Sequence, residues 1–363
     1  MNSLDANEEG ITAVVFLSEI YPYVYFYSSD VNPENLQKVE VQFGETPSPY
    51  SDCSDISASL SSVGEETFVA VTFRNSEEYP SQAQIGKVTH EGSGYKYMQG
   101  WAMGDLRNAI TNTCRALFAG SEKYWLVGLD QESYDNNIVT ANYWPYFHDD
   151  DQPGIQFGST PWERAFDAAS DKQGNVIFAA INEGFDQINV WMQNGKPAGT
   201  PAAFTVPCPA KYDYPSIAIG VIPGYFCIAA GGEGGAWHLY RYSYNPSDLS
   251  EAPKAIDDAP IEFMTGKICK NLKVCVAEDK LTAILFEYHG DDDWGVLGGV
   301  AVDPDGAVYT PYCIKDEYMP LHEGICAAAL PGSRFVVGWS DESASYLRNY
   351  PMAYGYKGEE PLP

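Results

Sequence analysis

The chain has 363 residues, 45% of them apolar and 20% charged, the balance of a folded globular protein. Its 21 Lys and Arg stand against 50 Asp and Glu, a net charge of −29 that would repel a phosphate backbone or an anionic lipid surface, so nucleic acid is excluded as a partner. Cationic partners, calcium and neutral hydroxyl-rich ligands stay open, while solubility or adaptation to salt would account for the same acidity.

No stretch reaches the 18 or more uncharged apolar residues of a membrane span, which speaks against membrane insertion. The start, "MNSLDANEEG", has neither a basic nor an apolar region of a secretory signal. As written the chain reads as intracellular, and as extracellular if Met1 is not its natural start. The 33 Gly and 24 Pro suit many turns better than long helices, and 26 Tyr suit strands.

In chain order, the first apolar run is "ITAVVFL" at 11–17, followed by "YPYVYFYSSD". The same pairing returns as "ISASLSSV" with "ETFVAVTFRNSEE", "AITNTCRALF" with "KYWLVGLDQES", and "RAFDAAS" with "NVIFAAINEGF". It returns again as "SIAIGVI" with "GYFCIAAGGEG", "LKVCVA" with "KLTAILFEYHGD", and "GICAAAL" with "SRFVVGWSDES". Anchored at Tyr23, Phe68, Trp125, Ile177, Phe226, Thr282 and Phe335, the copies lie 45 to 57 residues apart, room for four short strands each. Gly64, Gly120, Gly174, Gly224 and Gly332 stand in the turns between first and second runs. Third runs such as "QINVWMQNG", "WHLYRYSYN" and "GVLGGVAVD" follow a polar loop, and weaker fourth runs include "GIQFG", "AAFTVP" and "AVYTPY".

The first two runs of each copy are apolar on both faces and rich in Ala, Gly, Ser and Cys. An antiparallel strand with one wet face should alternate instead. Sheets stacked face to face around an axis explain both features. The pattern predicts an all-β protein, a seven-bladed β-propeller of four-stranded antiparallel blades of about 50 residues. Residues 1–363 then make a single domain. A pair of β-sandwiches would not explain seven equal units. At the fold level the chain resembles the seven-bladed repeat proteins over essentially its whole length. It has no WD dipeptide with a GH partner, no kelch double glycine and no regular Asp box. "SDKQGNVIF" at 170–178 comes nearest to that box, with Ala169 where Ser or Thr belongs. The last copy shows three runs, so one terminus is expected to supply its outer strand.

The eight cysteines include no CxxC pair and no zinc spacing. Cys114, Cys227, Cys275 and Cys326 fall inside apolar runs and read as buried free thiols. Cys269 and Cys313 are the pair to test for a bridge.

Aligning the copies puts acids in the loops between second and third strands: Asp30, Glu77, Asp130, Glu183, Glu233, Asp291 and Asp341. These loops line the face where propellers usually bind ligands. The acids would serve a cation such as calcium or accept from sugar hydroxyls, and they are equally ordinary turn residues. "FEYHGDDDWG" gathers Tyr288, His289, Asp291, Asp293 and Trp294, with Asp291 and Asp293 as alternate calcium ligands. "YFHDDDQPG" at 146–154 is a second acidic cluster, and "DPDG" at 303–306 is a turn. Rings near these turns, Tyr288, Trp294, Trp339 and Trp237, would give sugars a stacking face. The candidate ligand-binding set is therefore Asp30, Asp130, Glu233, Tyr288, His289, Trp294, Trp339 and Asp341.

The sequence selects no catalytic residue. It has no Gly-x-Ser-x-Gly, no phosphate-cradling loop, and seven scattered Arg. The leading expectation is a non-catalytic binder of a protein partner or glycan through one face or the inter-blade clefts. The alternative is a polysaccharide hydrolase or lyase with carboxylates in the central mouth.

Overall fold

A computed structural model of the chain describes residues 3–6, 11–18, 21–28, 37–40, 54–63, 66–74, 82–91, 94–103, 112–118, 123–133, 136–145, 155–160, 165–194, 202–208, 212, 215–232, 235–266, 268–289, 295–318, 320–341 and 345–350. All regular elements among them are strands, apart from a single 3-10 residue at 165. No helix of the described residues is long and apolar enough to cross a membrane.

The strands form seven antiparallel sheets. The first holds β1 (Ser3–Ala6), β2 (Ile11–Ser18), β3 (Tyr21–Ser28) and β4 (Gln37–Glu40); the second holds β5 (Ser54–Val63), β6 (Glu66–Arg74), β7 (Gln82–Glu91) and β8 (Gly94–Met103). The third holds β9 (Asn112–Phe118), β10 (Lys123–Ser133), β11 (Asn136–Pro145) and β12 (Ile155–Thr160). The fourth holds β13 (Phe166–Ser170), β14 (Asn175–Ile181), β15 (Gln187–Asn194) and β16 (Ala202–Pro207). The fifth holds β17 (Ser216–Ile222), β18 (Tyr225–Gly231) and β19 (Ala236–Ser243), whose outer edge pairs with both β20 (Lys254–Ala255) and β21 (Ile261–Thr265). The sixth holds β22 (Ile268–Val276), β23 (Thr282–His289), β24 (Gly295–Val302) and β25 (Tyr312–Tyr318); the seventh holds β26 (Pro320–Leu330), β27 (Arg334–Asp341) and β28 (Ser345–Tyr350).

By compactness the chain divides into two units, Met1–Gly158 with Lys172–Gly174, and Ser159–Asp171 with Asn175–Pro363. In the first, β1 packs on β5 and β5 on β9; in the second, β13 packs on β17, β17 on β22 and β22 on β26. Within each unit the first strands of successive sheets therefore adjoin, which is the propeller arrangement that the repeats predict.

These adjoining strands share a polar device. Each is an edge whose backbone N–H groups the ladder leaves open on one side, and at three of the five junctions a side chain of the preceding sheet's first strand meets one of them. In the first unit Asp5 accepts from Leu60 N at 2.6 Å and Ser59 Oγ from Phe118 N at 3.3 Å; in the second Asp167 accepts from Ile219 N at 2.9 Å.

In the second unit the sheets also meet face to face through apolar seams. Strand alternation divides β18 cleanly. Phe226, Ile228 and Ala230 pack against Ile177, Ala179 and Val190 of the fourth sheet. Tyr225, Cys227 and Ala229 pack against Val276, Ile284 and Phe286 of the sixth. A third seam joins Leu285 and Leu297 of the sixth sheet to Phe335, Val337 and Trp339 of the seventh. Each fully buried Ile or Phe in these seams contributes about 1.5–3 kcal/mol over an exposed one. The turn glycines Gly174, Gly224 and Gly332 take positive φ, as expected.

Strand β19 is fixed at its outer end by Arg241. This buried guanidinium clasps Asp257 through Nε at 2.7 Å and a second nitrogen at 2.6 Å, and donates to the carbonyls of Asp303 and Pro304, both at 3.0 Å. Such bidentate pairing is the strong form of the ion pair.

Several expectations change. The run "ITAVVFL" is the second strand of its sheet, because Ser3–Ala6 supplies the first; Tyr23 therefore lies on a third strand. The polar four-residue strand "SLDA" carries no apolar run to mark it. The N-terminal strand thus serves the first sheet, and the seventh sheet has three strands among the described residues. The fourth strand of the sixth sheet begins only at Tyr312, the last residue of "AVYTPY"; the residues before it are irregular apart from an isolated bridge of Val308 to Val302.

Gly231 ends β18 beneath the indole of Trp237, which is 0% exposed. A Cβ built there would fall within that ring. Gly231→Ala should cost about 1–3 kcal/mol through overpacking, read as a lower urea midpoint at unchanged slope. An unchanged midpoint would show that the ring can move aside.

Candidate functional site at the ends of the seams

Within the second unit the connections from second to third strands lie at one end of the seams, because successive strands alternate in direction. Polar side chains gather there. The turn from β14 to β15 is organised by Asn182, whose side-chain oxygen accepts from Asp186 N at 3.2 Å and Gln187 N at 3.1 Å. Its amide donates to the Asp186 carboxylate at 2.9 Å, and Glu183 projects from the tip, exposed.

The segment leaving β16 docks on this turn. Cys208 N donates to Asp186 O and Tyr212 N to Phe185 O, both at 2.9 Å. The Tyr212 ring then enters the seam between the fourth and fifth sheets, where it is 2% exposed. Its hydroxyl lies 2.9 Å from His238 Nδ1 and 2.9 Å from Tyr240 Oη. His238 and Tyr240 are two residues apart on β19 and so share one strand face. Burial pushes the Tyr212 and Tyr240 hydroxyls well above their ordinary range, pushes the Cys208 thiol up to about 12, and lowers the His238 pKa, with the Glu262 carboxylate opposing that last shift. The cluster is therefore neutral near pH 7.

The seam between the sixth and seventh sheets ends differently. Glu287 on β23 is 1% exposed, and alternation puts it on the face that carries Ala283 and Leu285. The ladder between β22 and β23 shifts register between Lys270 and Lys273. That bulge puts Asn271 at φ 51, a left-handed conformation asparagine tolerates, and its amide donates to Glu287 Oε2 at 2.8 Å. A carboxylate held in a fixed orientation near the end of a seam has the chemistry to accept from hydroxyl groups. Sequence reasoning passed over Glu287, although the signal was present: an acid inside the apolar run "LTAILFEYH".

The residues singled out in the sequence fall as follows. Tyr288 and His289 are the last two residues of β23, opposite Cys269 and Ile268 of β22, directly after Glu287. Asp341 ends β27, opposite Pro320. Asp130 lies inside β10, paired with Ile138, because that hairpin continues to Ser133; it is a strand residue and not a loop one. Trp339 is 6% exposed and packs in the seam with Ile325 and Val337, so it serves the core instead of offering a free ring face, and Trp237 is likewise buried. Asp30, Glu233, Asp291, Asp293 and Trp294 lie outside the described residues, as does the whole cluster 146–154. Among the described residues no three His, Cys, Asp or Glu side chains gather as a metal site requires.

Two further motifs resolve into structure. In "SDKQGNVIF" the Asp171 carboxylate accepts from Asn175 N at 2.9 Å, Asn175 Nδ2 at 2.6 Å and Tyr244 Oη at 2.9 Å, closing the β13–β14 turn. In "DPDG" Asp303 accepts from Asp305 N at 3.0 Å and Ala307 N at 2.9 Å. Both carboxylates are turn-builders.

Cys227, Cys275 and Cys326 are buried free thiols, as expected, and Cys208 and Cys313 are also free. A bridge between Cys269 and Cys313 is ruled out because β22 and β25 are the opposite edges of their sheet. Three strand spacings separate them by roughly 14 Å, against the 4.4–6.8 Å that a disulfide spans.

Compared with models of known families and with curated protein sequences, the chain matches none. Among solved structures it is similar to the BP39L lectin of Burkholderia pseudomallei, with a TM-score of 0.61 and 13% identity over 99% of each chain. It is also similar to a mutant of the Aleuria aurantia lectin in complex with alpha-methyl-L-fucoside, with a TM-score of 0.50 and 14% identity over 88% of this chain and 96% of that one. Prolyl oligopeptidase B of Galerina marginata gives a TM-score of 0.53 and 10% identity over 96% of this chain and 48% of that one. At such identities the shared property is the fold, and the chain is an all-β protein of the β-propeller class.

Burial holds the Cys227 and Cys326 thiols up at about 12, so the nucleophilic thiolate is scarce in the native state. Native alkylation at pH 8 followed by peptide mass mapping should leave both unmodified and label them after denaturation. Rapid native labelling of either would mean that its seam opens.

Proposed function

We propose that this β-propeller is a non-catalytic glycan-binding protein that receives sugar hydroxyls where its inter-sheet seams reach the second-to-third connections. The observation that carries this reading is the carboxylate of Glu287, buried in an otherwise apolar seam and anchored by Asn271. A carboxyl group held in one orientation at the end of a seam is what hydroxyl recognition uses. Support comes from the two propeller lectins that share the fold, one of them in complex with a fucoside. Repeated clefts would make binding multivalent. We treat residues 1–363 as one domain of seven blades, with Tyr288, His289, Trp294 and Asp341 around the sixth and seventh.

The two carboxylates buried in the second unit, Asp171 and Glu287, belong to opposite ends of their sheets, since Asp171 closes a first-to-second turn. They do not form the pair that glycoside hydrolysis uses.

Titration calorimetry against a panel of methyl glycosides and short oligosaccharides tests the function. At least one sugar should bind, and Glu287→Gln should weaken it about tenfold or more, the worth of a hydrogen bond to a charged acceptor, with little change in Tm. If no sugar binds, a protein partner becomes the remaining reading. Asp291 and Asp293 are proposed to hold calcium beside this cleft. A chelator should then lower Tm and restored calcium raise it, since a ligand of the folded state stabilises by mass action. An unchanged Tm would make those acids plain surface.

A further inference from the structure

We infer that Tyr212 and His238 form a proton-sensitive latch that holds Cys208 and Tyr212, beyond β16, against the end of the seam between the fourth and fifth sheets. The latch rests on its own geometry and does not depend on glycan binding. One hydroxyl, Tyr212 Oη, joins the connector to two groups of β19, His238 Nδ1 and Tyr240 Oη, at 2.9 Å each. Among the described residues, two backbone bonds join this connector to the β14–β15 turn, Cys208 N to Asp186 O and Tyr212 N to Phe185 O. Release of the Tyr212 ring from the seam would therefore expose the Cys208 and Tyr212 amides.

The surroundings decide what a proton does here. His238 is 7% exposed. The groups that face it are the neutral hydroxyls of Tyr212 and Tyr240, the thiol of Cys208 beside Tyr240, and Glu262, its register partner on β21. Its partner across β18 is Ala230, which brings no charge. Asp186 lies toward Cys208 and is engaged by Asn182. Among the described residues Glu262 is the carboxylate acting on the imidazole, and burial outweighs it, since the folded pKa lies below the ordinary 6.5. A proton on His238 would put a cation into a seam of Ile, Val and Phe side chains, which is costly.

The sign follows from linkage. In the open state His238 is solvated and titrates near 6.5; in the latched state it binds its proton only at lower pH. The latched state is therefore fully favoured above about pH 6.5 and loses its advantage as pH falls toward the lowered folded pKa. Within that window the opening constant rises by up to about tenfold for each pH unit.

Hydrogen–deuterium exchange of the full chain from pH 7.5 to 5.5, corrected for the intrinsic rate, reads this directly at the amides of Cys208 and Tyr212. Their opening constants should rise by several-fold or more in the wild type and stay within about twofold in His238→Gln, whose side-chain amide can still bond Tyr212. A flat wild-type profile, or an equal rise in the variant, would overturn the latch. Should the variant not fold, nuclear magnetic resonance titration of the wild-type imidazole decides. A midpoint below 6.5 supports the latch, and one at or above 6.5 removes it.

Discussion

Burial of the inner sheets on both faces is the constraint from which the second unit follows. A strand alternates its side chains, and in β18 both alternations are dry: Phe226 and Ile228 meet one neighbour, Cys227 and Ala229 the other. With no wet face available, every side chain there must be apolar or have a partner. Size is restricted as well. Gly220 faces Val276 so closely that a Cβ would approach it to 2.6 Å, and Gly231 lies beneath an indole. The Ala, Gly and Cys content of the inner strands is the chemical record of that spacing.

Backbone polarity has to be resolved under the same constraint. The first strand of each sheet is an edge, and a buried edge N–H without an acceptor costs about 1–3 kcal/mol. Asp5, Ser59 and Asp167 each answer one such group on the next sheet. The device recurs in both units although the side chain varies, so what repeats is the need for an acceptor at that position. It also gives successive sheets a register that an apolar seam alone would leave free to slide. Arg241 does comparable work farther out, tying β19 to the turn at Asp303 and Pro304.

Much of this was legible because dry strands leave long apolar runs, and runs such as "NVIFAAI" and "YFCIAAG" recur at a readable period. The first strand was missed for the opposite reason: "SLDA" contributes an acceptor and four backbone groups, neither of which looks like a strand in a list of apolar residues. That omission shifted the first copy by one strand. Trp339 and Trp237 were read as exposed because they stand near polar turns, yet proximity in sequence to a loop says nothing of the face a strand residue takes. Glu287 and the Tyr212–His238 pairing were harder to find. The first needed attention to one acid in an apolar run, and the second joins residues 26 positions apart through a connector with no pattern of its own.

Chemistry in such a fold is driven to the ends of the seams, where apolar packing stops and strands hand over to loops. The two well-described ends in the second unit are not alike. Between the fourth and fifth sheets the seam is closed by a neutral network of two tyrosines and an imidazole; between the sixth and seventh it ends in an anchored carboxylate. Repetition of the backbone therefore does not imply repetition of the site. Under the proposed glycan binding, a hydroxyl-bearing ligand would meet an anchored carboxyl group at one seam end and a closed network of tyrosines and imidazole at another, so any multivalence would come from sites of unlike chemistry.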